Sequence, residues 1–89
     1  MKILRFGADW CPACIVMRSV WSKVEDLAPW LQHEYHDYDS AVELVEQHAV
    51  SDKLPTFIFI NNHDQEILRL QGEFSADKLL EIINEHKDE

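Results

Sequence analysis

This 89-residue sequence predicts an α/β fold, ordered β-α-β-α-β-β-α around a four-stranded mixed sheet flanked by helices. Three observations carry that prediction. A short β-prone run leads into Trp10-Cys11-Pro12-Ala13-Cys14, and a long helical periodicity leads away from it. The almost wholly apolar Thr56-Phe57-Ile58-Phe59-Ile60 is followed by a polar turn and a second β-prone run, as in a hairpin. A serine-capped amphipathic segment closes the chain. The length leaves room for one modest core, so residues 1–89 read as a single domain.

Lys2-Ile3-Leu4-Arg5-Phe6 reads as a short interior strand in which Arg5 is the odd member. Gly7-Ala8-Asp9 turns the chain, and Pro12 suits the first turn of a helix, where its missing N–H costs nothing. Val16, Met17, Val20, Trp21, Val24, Leu27 and Ala28 recur at helical spacing and predict one buried face, ended by Pro29. Trp21 and Trp30 are both assigned to packing. Leu31 to Asp39 alternates weakly and is polar, which suits an edge strand with Leu31, His33, Tyr35 and Asp37 on one side. Ser40-Ala41-Val42-Glu43 has the form of a capping box, and predicts a short helix through Val42, Leu44, Val45 and Ala49.

Leu54-Pro55-Thr56 opens the next strand, whose apolar run through Ile60 suits burial on both faces. Asn61-Asn62-His63-Asp64 is turn material, and Glu66-Ile67-Leu68-Arg69-Leu70 is the returning arm. Gly72 breaks the strand. Ser75 caps a last helix with Leu79, Leu80, Ile82 and Ile83 inward. The first two strands, joined by a helical crossover, run parallel, and the last two are antiparallel.

Composition narrows the function. A formal charge of −9 repels phosphate backbones and anionic lipid, so no nucleic-acid or membrane partner is expected. No stretch is long enough to cross a bilayer, and the run after Met1-Lys2 is too short for a secretory leader. A cytoplasmic setting and a monomer are the expectations. A structural disulfide is unusual in that compartment, which leaves Cys11 and Cys14 to redox, sensing or metal roles.

Two residues between the cysteines, on the first turn of a helix, bring the sulfurs within bonding reach. Cys11 is expected to point outward at the helix N-terminus, and Cys14 to lie one turn in and more shielded. The unpaired N–H groups and the helix dipole favour an anion at Cys11. Its thiol is therefore expected below the free value near 8.5, at roughly 3.5–7.5. Cys11 would attack a substrate disulfide, and Cys14 would resolve the mixed disulfide. The same pair is also half of a four-ligand zinc site, although His33, His36, His48, His63 and His86 have no paired spacing that completes one. Two fortuitous cysteines, or a redox-sensing module with little turnover, fit the residues as well. The order strand, turn, Trp-Cys-x-x-Cys, helix is the one that redox chemistry needs.

With Phe6, Ala8, Trp10-Cys11-Pro12-Ala13-Cys14, Leu54-Pro55-Thr56 and Gly72 in this order, the whole chain resembles the thioredoxin-fold family. It resembles a minimal form that starts at the strand before the motif, without the N-terminal strand and helix of standard thioredoxins. The resemblance implies a thiol–disulfide oxidoreductase that reduces protein disulfides, is recycled by a separate reductase or thiol reductant, and uses no bound cofactor or metal. It implies that Cys11 attacks, that Cys14 resolves and that the two form the redox-active disulfide. It also implies a cis peptide before Pro55 and a substrate groove formed by Trp10, Leu54, Pro55, Thr56 and Gly72. Read without the resemblance, Pro55 is a strand-starting proline.

Three residues depart from the family pattern. Pro12-Ala13 stands where thioredoxins usually have Gly-Pro, which leaves the reduction potential and the direction of reaction open. Arg5 stands where they usually have a buried Asp that helps proton transfer to the resolving thiol. Ile15 stands where Lys is frequent. A glutathione-dependent, glutaredoxin-like reductase is the alternative. Its glutathione contacts correspond here to Asp9-Trp10, Leu54 and Gln71-Gly72-Glu73, and the acidic surface opposes that ligand.

Overall fold

The computed structural model describes residues 1–89. Seven elements follow one another: β1 (Lys2–Gly7), α1 (Pro12–Leu27), β2 (Gln32–Asp37), α2 (Val42–Gln47), β3 (Thr56–Ile60), β4 (Glu66–Gln71) and α3 (Ala76–His86). They form a four-stranded sheet in the order β2-β1-β3-β4. β1 and β2 are parallel, and β3 is antiparallel to both β1 and β4. The predicted fold class holds, with β1 and β3 inside and the polar β2 at an edge.

Register explains how the two faces divide. Ile3 on β1 and Phe57 and Phe59 on β3 pack with Met17, Trp21 and Val24 of α1 and with Leu79 and Ile83 of α3. The alternate residues Leu4, Phe6, Ile58 and Ile60 pack on the other side with Val50, and with Leu44 and Val45 of α2. Every residue of β3 is buried, which is why that strand reads as an unbroken apolar run. Arg5 lies on the α1 side, opposite Tyr35 on β2 and Phe57 on β3.

Helix ends depart from the sequence reading in instructive ways. α1 begins where Pro12 suggests, with Cys11 as its N-cap residue. Its buried face is Cys14, Met17, Trp21 and Val24, followed by Ala28, whereas Val16 and Leu27 are exposed. Those two positions sit a turn's fraction off the stripe that meets the sheet. The expected capping box at Ser40 does not form. Asp37 Oδ2 accepts from both the amide and the hydroxyl of Ser40 (3.0 Å each), so the serine closes a turn after β2. α2 starts one residue later, from an Ala41 with no side-chain cap. Its far end is held from another element. Arg69 Nη2 donates to the His48 carbonyl at 2.7 Å and Nη1 to the Ala49 carbonyl at 3.3 Å.

Ser75 caps α3 as expected, accepting from the Lys78 amide at 3.1 Å. In the β3–β4 turn Asn61 Oδ1 accepts from the amides of His63 (2.8 Å) and Gln65 (3.0 Å). Trp30 is a further correction. It is 52% exposed just beyond α1, while Trp21 is 2% exposed in the core. No helix is long and apolar enough to cross a membrane.

Candidate active site

The end of β1 and the start of α1 place both sulfurs in one small cluster. As N-cap residue, Cys11 has extended backbone (φ −98°, ψ 110°), and its Sγ accepts from the Cys14 amide at 3.2 Å. That contact uses one of the free N–H groups of a helix start, and a thiolate is a stronger acceptor there than a thiol. Its thiol also reaches the Leu54 carbonyl at 3.6 Å. The Leu54–Pro55 peptide is cis, as the resemblance implies. Both cysteines are free.

Exposure does not separate the two thiols, contrary to the expectation of an outward Cys11. Cys11 is 6% and Cys14 5% exposed, because Tyr38, Leu54 and Ala13 pack against the pair. Electrostatics shows a clearer feature. Burial and a hydrogen bond to Cys11 push the Cys14 thiol up to about 11, against a smaller pull downward from a backbone contact at Ala8.

The remaining candidates lie around the pair in different ways. Trp10 is exposed, and its indole N–H donates to Asp39 Oδ2 at 2.8 Å while its ring meets Tyr38 edge-on. Pro55 is buried and lines a cleft with Cys14. Thr56 is fully buried, and its hydroxyl donates to the Lys53 carbonyl at 2.9 Å, so the hydroxyl is already engaged. The Gly72 amide donates to the Pro55 carbonyl at 2.9 Å. Gly72 has φ +96°, and a Cβ there would meet nothing within 4 Å. Backbone conformation, not crowding within the chain, calls for glycine at that position. Tyr38 and Asp39 were not singled out from the sequence. Their one signal was their position at the carboxyl end of a strand parallel to β1.

Behind Cys14 is a cleft of about 340 Å³ between α1, β1 and β2, to which Arg5, Trp21, Glu25 and Tyr35 contribute. The Arg5 guanidinium lies over the rings of Trp21 (5.1 Å) and Tyr35 (5.6 Å). A Cβ on Gly7 would stand 3.0 Å from the Tyr35 hydroxyl and 3.4 Å from Cys14 Cβ, so the missing side chain is what admits the phenol beside the thiol. No group of three His, Cys, Asp or Glu side chains is assembled to hold a metal ion.

Comparison with known proteins gives this arrangement its context. A family model described as Thioredoxin matches residues 1–85. The chain belongs to the thioredoxin family. No curated protein matches it. Among solved structures, thioredoxin-2 of the malaria parasite, described as a component of its protein secretion machinery, is 26% identical with a TM-score of 0.88, over 96% of this chain and 82% of that one. Fasciola hepatica thioredoxin is 27% identical with a TM-score of 0.85, over 96% and 79%. Thioredoxin 1 of Thermosipho africanus, at 24% identity and a TM-score of 0.80 over 99% and 96%, shares the fold. The family and these neighbours support assignment to the thiol-oxidoreductase class.

Arg5 and His33 form a second electrostatic feature of the cleft region. Burial pulls its pKa below the ordinary arginine value, partly offset by Glu25. Nearby, His33 stacks on Trp21 and reaches Glu25 at 3.2 Å. Burial first, and then the Arg5 cation, hold His33 below the ordinary 6.5, with Glu25 opposing. The folded protein therefore binds this proton less readily than the unfolded chain. Stability from this source is complete above about pH 6.5 and is lost as pH falls from there through the lowered folded value. Denaturation midpoints measured from about pH 7 to pH 5 should fall less steeply in His33→Gln than in the unaltered protein. Equal slopes would show that His33 carries none of the acid sensitivity.

Proposed function

We propose that the chain reduces protein disulfides through a Cys11–Cys14 dithiol cycle. One observation carries the reading: the Cys11 sulfur is the N-cap group of α1, with the Cys14 amide directed at it and the carbonyl before cis-Pro55 beside it. The Cys11 thiolate attacks one sulfur of a substrate disulfide. A Cys11–substrate bond forms, the substrate S–S bond breaks, and the other substrate sulfur leaves as a thiolate that takes up a proton. Cys14 then loses its proton and attacks Cys11 Sγ, so the substrate's second sulfur leaves reduced and the Cys11–Cys14 disulfide remains. A separate reductase or thiol reductant supplies two electrons and two protons to reset the pair.

The high pKa of Cys14 suits this order of events. Two of the influences that raise it, the hydrogen bond and the charge at Cys11, belong to Cys11 in its free form. Once Cys11 Sγ is bonded to substrate it carries no charge and no proton. Cys14 is then easier to deprotonate, at the step that uses its thiolate. The exposed Trp10 ring and the chain at Leu54, Pro55, Thr56 and Gly72, whose Leu54 carbonyl lies 3.6 Å from Cys11 Sγ, form the docking surface in this reading. The chain acts as a single-domain monomer in a reducing cytoplasm, and its acidity favours neutral or basic substrate surfaces.

The deciding experiment is reduction of a model protein disulfide by dithiothreitol with and without the chain. The expected result is catalysed turnover, with Cys14→Ser accumulating a covalent Cys11–substrate adduct visible by mass spectrometry. A rate no greater than that of dithiothreitol alone would reject the proposal, and a reversible Cys11–Cys14 disulfide without turnover would favour a redox-sensing module instead.

A further inference from the structure

The chain has three arginines, and only one lacks an anionic partner. Arg18 pairs with Asp9 at 2.7 Å and Arg69 with Glu66 at 2.7 Å. Arg5 has no carboxylate within 4.0 Å, although acidic residues outnumber basic ones by 17 to 8. Its Nε is fully buried and donates to nothing. The Trp21 Nε1 donor is likewise buried without an acceptor, in a residue only 2% exposed. Those two atoms are sealed from the cleft and serve as reporters of it, whereas the terminal N–H groups of the half-buried Arg5 are not among the sealed atoms, and a half-buried cation needs compensating charge. Both residues border the same open cleft.

We infer that this cleft binds a small organic monocarboxylate, whose carboxylate accepts from the terminal N–H groups of Arg5 and whose apolar body lies against the aromatic walls. The guanidinium is a planar set of donors suited to a planar carboxylate. Trp21, Tyr35 and Phe57 line the cleft, and Tyr35, 45% exposed, supplies most of the free ring surface there. A volume of about 340 Å³ is at the small end of the range for small-molecule sites. Charge selects a monoanion. Arg5 is the one unpaired cation there, Arg18 is engaged by Asp9, and Glu25 at the cleft wall repels a dianion more strongly than a monoanion. Glu25 itself reaches His33, which leaves Arg5 free. The inference concerns binding alone and does not depend on turnover at the dithiol.

The test is a titration of ¹⁵N-labelled full chain, in the reduced state, with benzoate, and with benzamide and inorganic phosphate as comparisons. The expected result is saturable movement of the Arg5 Nε–H and Trp21 Nε1–H resonances with benzoate, and none with the neutral amide or with phosphate. Arg5→Met should abolish the response, and Glu25→Gln should tighten it by about threefold through removal of a nearby like charge. The benzoate–benzamide comparison needs no variant, so it stands even if Arg5→Met fails to fold. Equal response to benzamide, preference for phosphate, movement confined to other residues, or no saturable movement would each overturn the inference.

Discussion

Cys11→Ser is expected to lower disulfide reduction to the rate of dithiothreitol alone, because serine has no thiolate to open a disulfide. The fold should survive the change. Serine is a preferred N-cap residue, and its oxygen can accept the Cys14 amide that Cys11 Sγ accepts now. Urea denaturation of the variant should therefore give a midpoint close to that of the unaltered chain. Loss of rate with stability retained would locate the chemistry at this sulfur. Residual catalysis in the folded variant would transfer the attacking role to Cys14, reversing the assignment. Cys14→Ser differs in kind, since it keeps the first bond-forming step and loses the second.

Trp21→Ala should have the largest effect on stability, about 3–5 kcal/mol by the usual cost of removing a buried aromatic. That is a large part of the roughly 5–15 kcal/mol available to a domain of this kind. The Trp21 ring meets Phe57 edge-on at 5.2 Å, stacks on His33 and lies beneath the Arg5 guanidinium. Removing it opens the space between α1 and the sheet directly behind Cys14. Trp30→Ala, at an exposed position, should change stability by no more than about 0.5 kcal/mol. Urea denaturation of the two variants checks the contrast. Similar losses in both would mean that Trp30 is covered in solution.

The two tryptophans show why some of the molecule was legible and some was not. Both lie in or near the α1 segment, and hydrophobicity alone treats them alike. Trp21 falls on the face that includes Met17 and Val24, whereas Trp30 follows the break at Pro29, where helical periodicity no longer says which way a side chain points. Ser40 makes the same point for caps. Its spacing to Glu43 fits a capping box, but Asp37 is close enough to take both of its donors, and the helix starts later. Local signals compete, and the structure shows which one wins.

Element order, the parallel first pair, the hairpin and the positions of Cys11 and Cys14 were all determined by the sequence itself. These depend on periodicity, turn chemistry and spacing, which act over a few residues. Tertiary structure decided the rest: that Leu54 and Tyr38 cover Cys11 as fully as Cys14, that Tyr35 fills the space left by Gly7, and that Arg5 faces a cleft with no carboxylate within 4.0 Å of it. Each of those facts joins residues far apart in the chain. Their side chains meet only after the sheet register is set, and burial and charge compensation are properties of that meeting.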